Sequence, residues 1–356
     1  MTALTTTTTD KANPLTAGQL PGYVTWAALA GALIVGGLLD TTLLSGFDPG
    51  TTAFAAAVIY LPLIYLLSRA VEGRRRAADR LATNLVAGAF LLALLPLISL
   101  LWETLSTGLP RFDAKFFTWS MRNVIGAGGG AIHALYGTLI VTGIATLISV
   151  PIGLMTAIYL VEYGRGALAR GITFFVDVMT GIPSIVAGLF AYALMAIVFG
   201  PGTINGLAGS LALSVLMIPI VVRATEELLR IVPNELREAS YALGVPKWRT
   251  IISVVLPTSI SGIVSGVILA IARIIGETAP LMIAAGFTNS INTNPFANPM
   301  MTLPVYVYDQ YAHPGVQREF YTERAWSGAL TLIVLVMVLN LIGRFIAQRF
   351  APKAGR

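Results

Sequence analysis

Long apolar runs separated by short polar segments account for most of this 356-residue chain. A helix that crosses the hydrocarbon core of a bilayer needs about 20 consecutive, mostly apolar residues. Eight runs meet that requirement, at about 24–44, 52–68, 81–102, 132–160, 172–199, 207–225, 258–285 and 326–346. The pattern therefore predicts an all-α polytopic membrane protein, a transmembrane helix bundle with about eight spans.

The composition supports a membrane protein and narrows its chemistry. Hydrophobic residues make up 56% of the chain and charged residues only 11%, whereas soluble domains carry about 25% charged residues. The absence of cysteine excludes disulfides and thiolate chemistry. His133 and His313 are too far apart in sequence to have metal-ligand spacing. We therefore expect no metal site and no catalytic residue. The net charge of +6 does not indicate nucleic acid, because in a membrane protein its distribution matters more than its sum.

The basic residues are concentrated in alternate loops between the predicted spans. The loops at 69–80, 161–171 and 226–257 and the segment after residue 346 hold most of the arginines and lysines outside the spans. Because cytoplasmic loops carry the excess of basic residues, both termini are predicted to be cytoplasmic, in a plasma or inner membrane. Residues 1–22 are predicted to be a disordered cytoplasmic tail, and residues 347–356 to be a second tail.

The longest basic loop contains an amphipathic segment, PNELREASYALGVPKWRTIISVVLP at 233–257. Gly244 suits the left-handed residue that ends a helix, and Pro246 suits the first turn of the next one. The segment therefore predicts two short helices separated by a stop. Such a hairpin suits docking into a groove of a partner. It equally suits an ordinary structural connection between spans.

This segment resembles the EAA loop of ABC importer permeases, which have the type I importer fold. The matched positions are Glu238, Ala239, Gly244, Leu256 and Pro257. Ser240 and Val254 depart mildly from the family pattern, which has Ala and Ile there. The resemblance implies that Glu238, Ala239, Gly244 and Pro257 couple the membrane helices to an ATPase. The chain has no phosphate-binding loop of the G-x-x-x-x-G-K-[ST] type, so ATP and Mg are expected on a separate subunit.

A second stretch, LAIARIIGETAPL at 269–281, places two charges in an apolar run. A charge at the centre of a bilayer costs about 3 kcal/mol on the mildest scale. Arg273 and Glu277 are four residues apart and would share one face of a helix. Gly276 and Pro280 predict a kink or local unwinding between them, which is tolerated at membrane depth only where it is buried in protein or lines a cavity. The segment therefore predicts a transport path, or alternatively a buried ion pair that pins two helices.

The same stretch resembles the permeases of phosphate importers, which carry an Arg followed by Gly-Glu-Thr-Ala-Pro, and within them the A type. The resemblance implies that Arg273 and Glu277 lie on the path of inorganic phosphate. We expect Arg273 to attract the anion. Glu277 would accept a hydrogen bond from the proton that phosphate retains and sulfate lacks. Thr278 would either donate its hydroxyl to the substrate or form a local bond to the helix backbone.

The resemblance also implies an organisation and a set of partners. Residues 81–346 would form a permease core of six spans, and residues 23–80 an additional N-terminal pair of spans with a basic loop. A second, related permease, two copies of an ATP-binding subunit and an extracytoplasmic phosphate-binding protein are expected, in contact with membrane lipid. Import would proceed by alternating access.

Three other functions stay open from the sequence. An importer of another oxyanion, such as molybdate or sulfate, would differ in substrate competition. A secondary transporter or channel would need no EAA loop, and a membrane-embedded enzyme would need an interfacial cluster of acidic residues or histidines. Two further expectations concern loops. Residues 286–325 are predicted to be irregular extracytoplasmic surface, in which PVYVYDQY either anchors the loop at the headgroup level or has no role. GAGGGAIHALYG at 126–137 is predicted to allow close helix packing or a flexible entry to the next span.

Overall fold

The computed structural model describes residues 20–43 and 49–350. The predicted tails at 1–22 and 347–356 lie mostly outside these ranges. Every regular element in the described residues is helical, which confirms the all-α expectation there. The α-helices are α1 Gly22–Leu43, α2 Pro49–Glu72, α3 Arg74–Gly108, α4 Ala114–Thr118, α5 Ile132–Ile158, α6 Gly166–Thr180, α7 Ser184–Phe199, α8 Gly206–Ile231, α9 Asn234–Ala242, α10 Lys247–Thr250, α11 Leu256–Ile274, α12 Ala279–Ala284, α13 Leu303–Ala312 and α14 Arg318–Phe350.

Seven helical segments of the described residues are long and apolar enough to cross a membrane, or eight when the bent pair α6–α7 is counted. The predicted number of spans is therefore confirmed. Several helices extend beyond the predicted runs. For example, α5 continues through a π-helical turn at Tyr159–Tyr163, and α14 begins at Arg318. Charged residues at such ends lengthen the helix without adding to its apolar stretch.

The chain divides into two compact units, residues 1–100 and 101–356. In the first unit α1 packs against α2 through small residues. A Cβ added to Gly36 would lie 2.9 Å from the carbonyl oxygen of Thr52, so the two backbones touch. Asp40 accepts hydrogen bonds from the hydroxyls of Thr51 and Thr52 at 2.6 and 2.9 Å. This polar contact satisfies a buried carboxylate within the helix pair.

The second unit is built around α5 and α8. Its largest cluster of buried residues includes Val141 and Ala145 of α5 and Leu213 and Met217 of α8. Of the apolar stretch of α8, 56% of the residues are buried, so this helix lies at the centre of its unit. Helices whose apolar residues are buried nearly all round belong to the interior of a bundle.

The prediction of one uninterrupted span at 172–199 is wrong. The structure has two helices there, α6 and α7, which meet at an angle of 109°. Gly181 and Pro183 lie between them. Proline disfavours helical backbone in the residue before it and has no amide hydrogen to donate. The run is apolar throughout, so its hydropathy does not show the turn.

The prediction that 233–257 holds two short helices is correct only for the first helix, which is α9. Residues Lys247–Ile274 form one continuous helical span, so the predicted start at 258 is eleven residues late and the hairpin ends near Pro246. A π-helical turn at Ile251–Val255 ends two residues before Pro257. Such a turn relieves the missing hydrogen bond and the steric clash that a proline causes inside a helix.

The prediction that 286–325 is irregular surface is also wrong. The segment contains α13 and the start of α14, and the side chains of Leu303, Val305 and Tyr306 are fully buried. The amide of Leu303 donates to Thr138 Oγ1 of α5 at 2.7 Å. The many Pro, Asn and Tyr residues of this segment suggested a loop, but packing against α5 and α14 supplies the burial that stabilises the helix.

Candidate functional site

The helix that carries Arg273 is interrupted at the place that Gly276 and Pro280 predict. It ends at Ile274, and α12 begins at Ala279. Pro280 lies in the first turn of α12, where the helix needs no amide donor. The carbonyl oxygen of Thr278 accepts from the amides of Leu281 and Met282 at 3.1 and 3.0 Å. The backbone between the two helices therefore has non-helical geometry at the level of the charged pair.

A cavity of about 270 Å³ lies beside this break. Helices α6, α7, α8 and α11 contribute to its walls. Its lining residues are Met179, Thr180, Ile182, Ser184, Leu216, Pro219, Ile220, Arg273, Ile274 and Glu277. The structure thus brings Arg273 and Glu277 into one cavity, while Thr278 does not line it. Thr180 and Ser184 were missed from the sequence because 172–199 was taken as one unbroken span.

Arg273 and Glu277 face the same cavity without forming an ion pair. In the part of the chain that the structure describes, no carboxylate lies within 4.0 Å of the Arg273 guanidinium. Because the helix ends at Ile274, the spacing of four residues no longer stacks the two side chains. The alternative of a structural ion pair is therefore not what this conformation shows. Both charges remain accessible from the cavity.

Thr278 uses its hydroxyl locally. Its Oγ1 donates to the carbonyl oxygen of Gly276 at 3.4 Å, which is at the long end for a hydrogen bond. A Cβ added to Gly276 would meet nothing within 4 Å. Steric fit therefore does not explain the glycine, and its contribution in this conformation is to weaken the helix beside the break.

Helix α7 is pressed directly onto the break. A Cβ added to Gly188 would lie 2.6 Å from Cα and 2.7 Å from the carbonyl oxygen of Pro280. Real Cβ atoms do not approach backbone so closely, so any side chain at residue 188 must push α7 away from α12. The sequence alone did not single out this glycine among the 35 in the chain.

Replacing Gly188 by alanine is therefore expected to destabilise the protein. Overpacking in a close-packed interior costs about 1–3 kcal/mol. The measurement is the thermal midpoint of the purified protein in detergent, at one fixed scan rate. Gly171→Ala is the matched control, because a Cβ at Gly171 of α6 would meet nothing within 4 Å. Equal midpoints for the two variants would contradict the close contact between α7 and α12.

A row of charges connects α6 and α8 one helical turn beyond Thr180 and Pro219 of the cavity. Arg223 donates to Asp177 of α6 and, at 2.8 Å, to Glu226. Glu226 in turn accepts from Arg230 at 2.6 Å. The local sequence around Asp177 does not show which arginine it contacts. The fold selects Arg223, because α6 and α8 pack side by side.

The hairpin at the other end of the helical span that carries Arg273 has the predicted cap. Gly244 has a φ of +73° and follows α9 at the position where a left-handed residue ends a helix. Its amide donates to the carbonyl of Tyr241 at 2.9 Å, and that of Val245 to the carbonyl of Ser240 at 3.2 Å. These two bonds form a Schellman motif. Glycine is favoured at 244 because other residues rarely adopt this backbone conformation.

The outer face of α9 combines charged and apolar side chains. Glu238 and Ala239 are exposed, and the neighbouring Leu243 is 84% exposed. Exposed apolar residues next to charges are typical of surfaces that bind another protein. Pro257 does not lie on the hairpin, since it is in the first turn of α11. In the described ranges, no three His, Asp or Glu side chains are grouped as metal ligands would be.

Comparison with known proteins finds clear relatives of this chain. The sequence profile of the family described as "Binding-protein-dependent transport system inner membrane component" matches residues 149–356. A Mycobacterium tuberculosis (strain CDC 1551 / Oshkosh) protein named phosphate transport system permease protein PstA 1 is 45% identical over 308 residues, 85% of this chain and 99% of the relative. A Yersinia pestis protein named phosphate transport system permease protein PstA is 38% identical over 286 residues, 80% of this chain and 94% of the relative.

Two solved structures share the fold. A chain of a bacterial alginate ABC transporter matches with a TM-score of 0.56 at 14% identity. The match covers 81% of this chain and 100% of that chain. A chain of the MetNI methionine ABC transporter, in an inward-facing conformation, matches with a TM-score of 0.52 at 21% identity. The match covers 62% of this chain and 96% of that chain. At these identities the likeness concerns the fold alone. Together with the family match, these findings show that the chain belongs to the inner membrane components of binding-protein-dependent transport systems, which are multi-pass permease subunits of ABC importers and not enzymes.

Proposed function

We propose that this chain is the permease subunit of an ATP-driven importer of inorganic phosphate. The observation that carries the proposal is the cavity at the helix break, where Arg273 and Glu277 face the same space and, among residues 20–43 and 49–350, no carboxylate lies within 4.0 Å of the arginine. Relatives that match over most of their length are named phosphate permeases. Broken helices and charges at membrane depth are typical of transport paths.

The arginine supplies the attraction for an anion. Arg273 supplies positive charge, and its planar guanidinium presents several donors to phosphate oxygens. In a confined cavity its charge is screened less than in bulk water. A transport path must also release what it binds. The nearby Glu277 carboxylate weakens the attraction enough to allow release.

Glu277 also provides a means of selecting phosphate. At neutral pH phosphate retains at least one P–OH group, which can donate to a carboxylate, whereas sulfate has no such donor. A site built around a hydrogen bond rejects an analogue that lacks it, because a buried polar group is then left without a partner. Thr278, whose hydroxyl now bonds to Gly276, would have to reorient to reach the substrate.

The remaining subunits follow from the hairpin. We infer that the exposed face of α9, with Glu238 and Ala239, and Gly244 just beyond it, docks into an ATPase that binds ATP and Mg. Two copies of this ATPase, a related permease and an extracytoplasmic phosphate-binding protein would complete the importer. Pro257 contributes by shaping the start of α11. With both termini in the cytoplasm, the hairpin reaches the ATPase, and nucleotide-driven closure and opening alternate the access of the cavity.

The direct test is ATP-dependent uptake of radiolabelled phosphate by the complete complex, reconstituted in liposomes with its binding protein. Uptake that requires ATP and is inhibited by unlabelled phosphate, with little inhibition by sulfate or molybdate, is the expected result. Stronger inhibition by sulfate or molybdate would assign the chain to another oxyanion. Uptake without ATP would contradict an ABC importer.

Glu277→Gln is expected to reduce the discrimination against sulfate by about tenfold, which corresponds to about 1.4 kcal/mol. The amide removes the negative charge that repels a fully ionised anion and can itself donate to sulfate. The measurement is inhibition of phosphate uptake by sulfate, with Glu227→Gln as the control, because Glu227 is exposed on α8 and does not line the cavity. Unchanged inhibition by sulfate would remove Glu277 from the selectivity mechanism.

A further inference from the structure

Beneath the exposed face of α9, one arginine joins three helical elements. Arg237 lies on α9, and its side chain is only 12% exposed. Its Nε and Nη2 donate to Glu162 Oε1 at 3.0 and 2.9 Å. The same guanidinium donates to the carbonyl oxygens of Val232 at 2.6 Å and Leu229 at 3.0 Å. Its donors thus reach the π-helical turn that ends α5 and the last turn of α8.

The partner carboxylate is equally enclosed. The side chain of Glu162 is 4% exposed. Removing one member of a buried ion pair leaves the other without compensation. The carbonyls at the end of α8 have no amide partner within the helix, so Arg237 also satisfies groups that would otherwise need water. Relative movement between α9 and the ends of α5 and α8 would therefore break several charge-assisted bonds at once.

Other contacts tie the far side of the hairpin to the helix of Arg273. The buried hydroxyls of Ser240 and Thr250 are 2.8 Å apart. Lys247 donates to the backbone carbonyl of Glu162, and its Nζ lies 4.9 Å from the centre of the Tyr163 ring. Both Lys247 and Thr250 belong to the continuous span that ends at Ile274. The hairpin is therefore tied directly to a continuous helix with the candidate anion site at its other end.

We propose that the Arg237–Glu162 pair transmits movement of the hairpin to α5 and α8. These two residues would then determine how many phosphate ions are imported per ATP hydrolysed. Both are positioning residues, because their side chains are buried behind the proposed docking face. The neighbouring pair Arg230–Glu226 lies within α8 and is largely exposed at the arginine, so it cannot perform this task. The inference rests on the proposed import function.

The test compares Glu162→Gln, Arg237→Lys and the control Arg230→Gln in the complete reconstituted complex. Glutamine keeps the size of Glu162 without its charge, and lysine keeps the charge of Arg237 without its planar fork. The readouts are subunit stoichiometry, ATPase rate and phosphate imported per ATP hydrolysed. Both test variants are expected to assemble and hydrolyse ATP, while importing about tenfold less phosphate per ATP. The control is expected to behave like the wild type.

Two results would overturn this proposal. If both variants import as much phosphate per ATP as the wild type, whether or not their ATPase rates fall, the pair does not transmit movement. If neither variant assembles, the pair only stabilises the structure. Failure of the proposed function is recognised separately, because the wild-type complex would then show no ATP-dependent phosphate import at all.

Discussion

Replacing Arg273 by glutamine is expected to reduce ATP-dependent phosphate uptake by at least about tenfold and up to about a hundredfold. Glutamine retains hydrogen bonding but removes the positive charge at the helix break. A hydrogen bond to a charged group contributes about 1.5–3 kcal/mol, and each 1.4 kcal/mol corresponds to a factor of ten. Because Arg273 faces a cavity without a carboxylate within 4.0 Å among the described residues, no buried partner should be left uncompensated. The complex should therefore still assemble.

The measurement is radiolabelled phosphate uptake into proteoliposomes, with subunit stoichiometry and ATPase activity determined on the same preparation. Arg170→Gln is the matched control, since Arg170 is an exposed arginine of α6 that does not line the cavity. Lost uptake with an intact, ATP-hydrolysing complex would support a place for Arg273 on the anion path. Uptake at the wild-type level would exclude Arg273 from that path. The assignment of phosphate as the substrate would then be supported only by the similarity to the relatives.

Replacing Gly137 by alanine is expected to destabilise the second unit strongly. A Cβ at this position of α5 would lie only 1.9 Å from the carbonyl oxygen of Met301. The obstacle is backbone held in place by the next residues, since the amide of Leu303 donates to Thr138 Oγ1. Overpacking costs about 1–3 kcal/mol and more where the neighbour cannot yield. We expect a loss at the upper end of that range or above it.

The yield of folded protein after detergent extraction and its thermal midpoint would measure this effect. Gly143→Ala lies on the same helix, where a Cβ would meet nothing within 4 Å, and should cost nothing. A Gly137→Ala protein as stable as Gly143→Ala would show that the segment before α13 can move away from α5. That result would contradict the close packing at the centre of this unit.

Local features of the fold could be read from the sequence because they depend on neighbouring residues. The apolar runs locate the spans, since burial of apolar surface is set by composition over about 20 residues. Gly244 ends α9 as predicted, because the left-handed cap is a property of the backbone at one residue. The break after Ile274 follows likewise from the proline at 280. The resemblance of the EAA loop to that of ABC importer permeases predicted the ATPase partner. The resemblance of the GETAP stretch to phosphate permeases predicted the substrate class.

Contacts between distant parts of the chain could not be read in this way. Residues 172–199 are apolar throughout, so their pattern is the same for a straight span and for two helices at 109°. Tyr306 of α13 lies in the segment predicted to be irregular surface, whereas packing against α5 and α14 buries its side chain fully. Glu162 and Arg237 are 75 residues apart, and nothing in the local pattern of either shows that they meet.

Composition and local pattern were enough to predict the membrane class, the positions of most spans, the helix break between Arg273 and Glu277 and the capped hairpin. The fold was needed to show that those two charges share a cavity without pairing, that Gly137 and Gly188 allow backbones to touch, and that Arg237 joins α9 to α5 and α8. Hydropathy and backbone preference act over only a few residues. A cavity, a close packing contact or a buried ion pair exists only once distant helices are brought together.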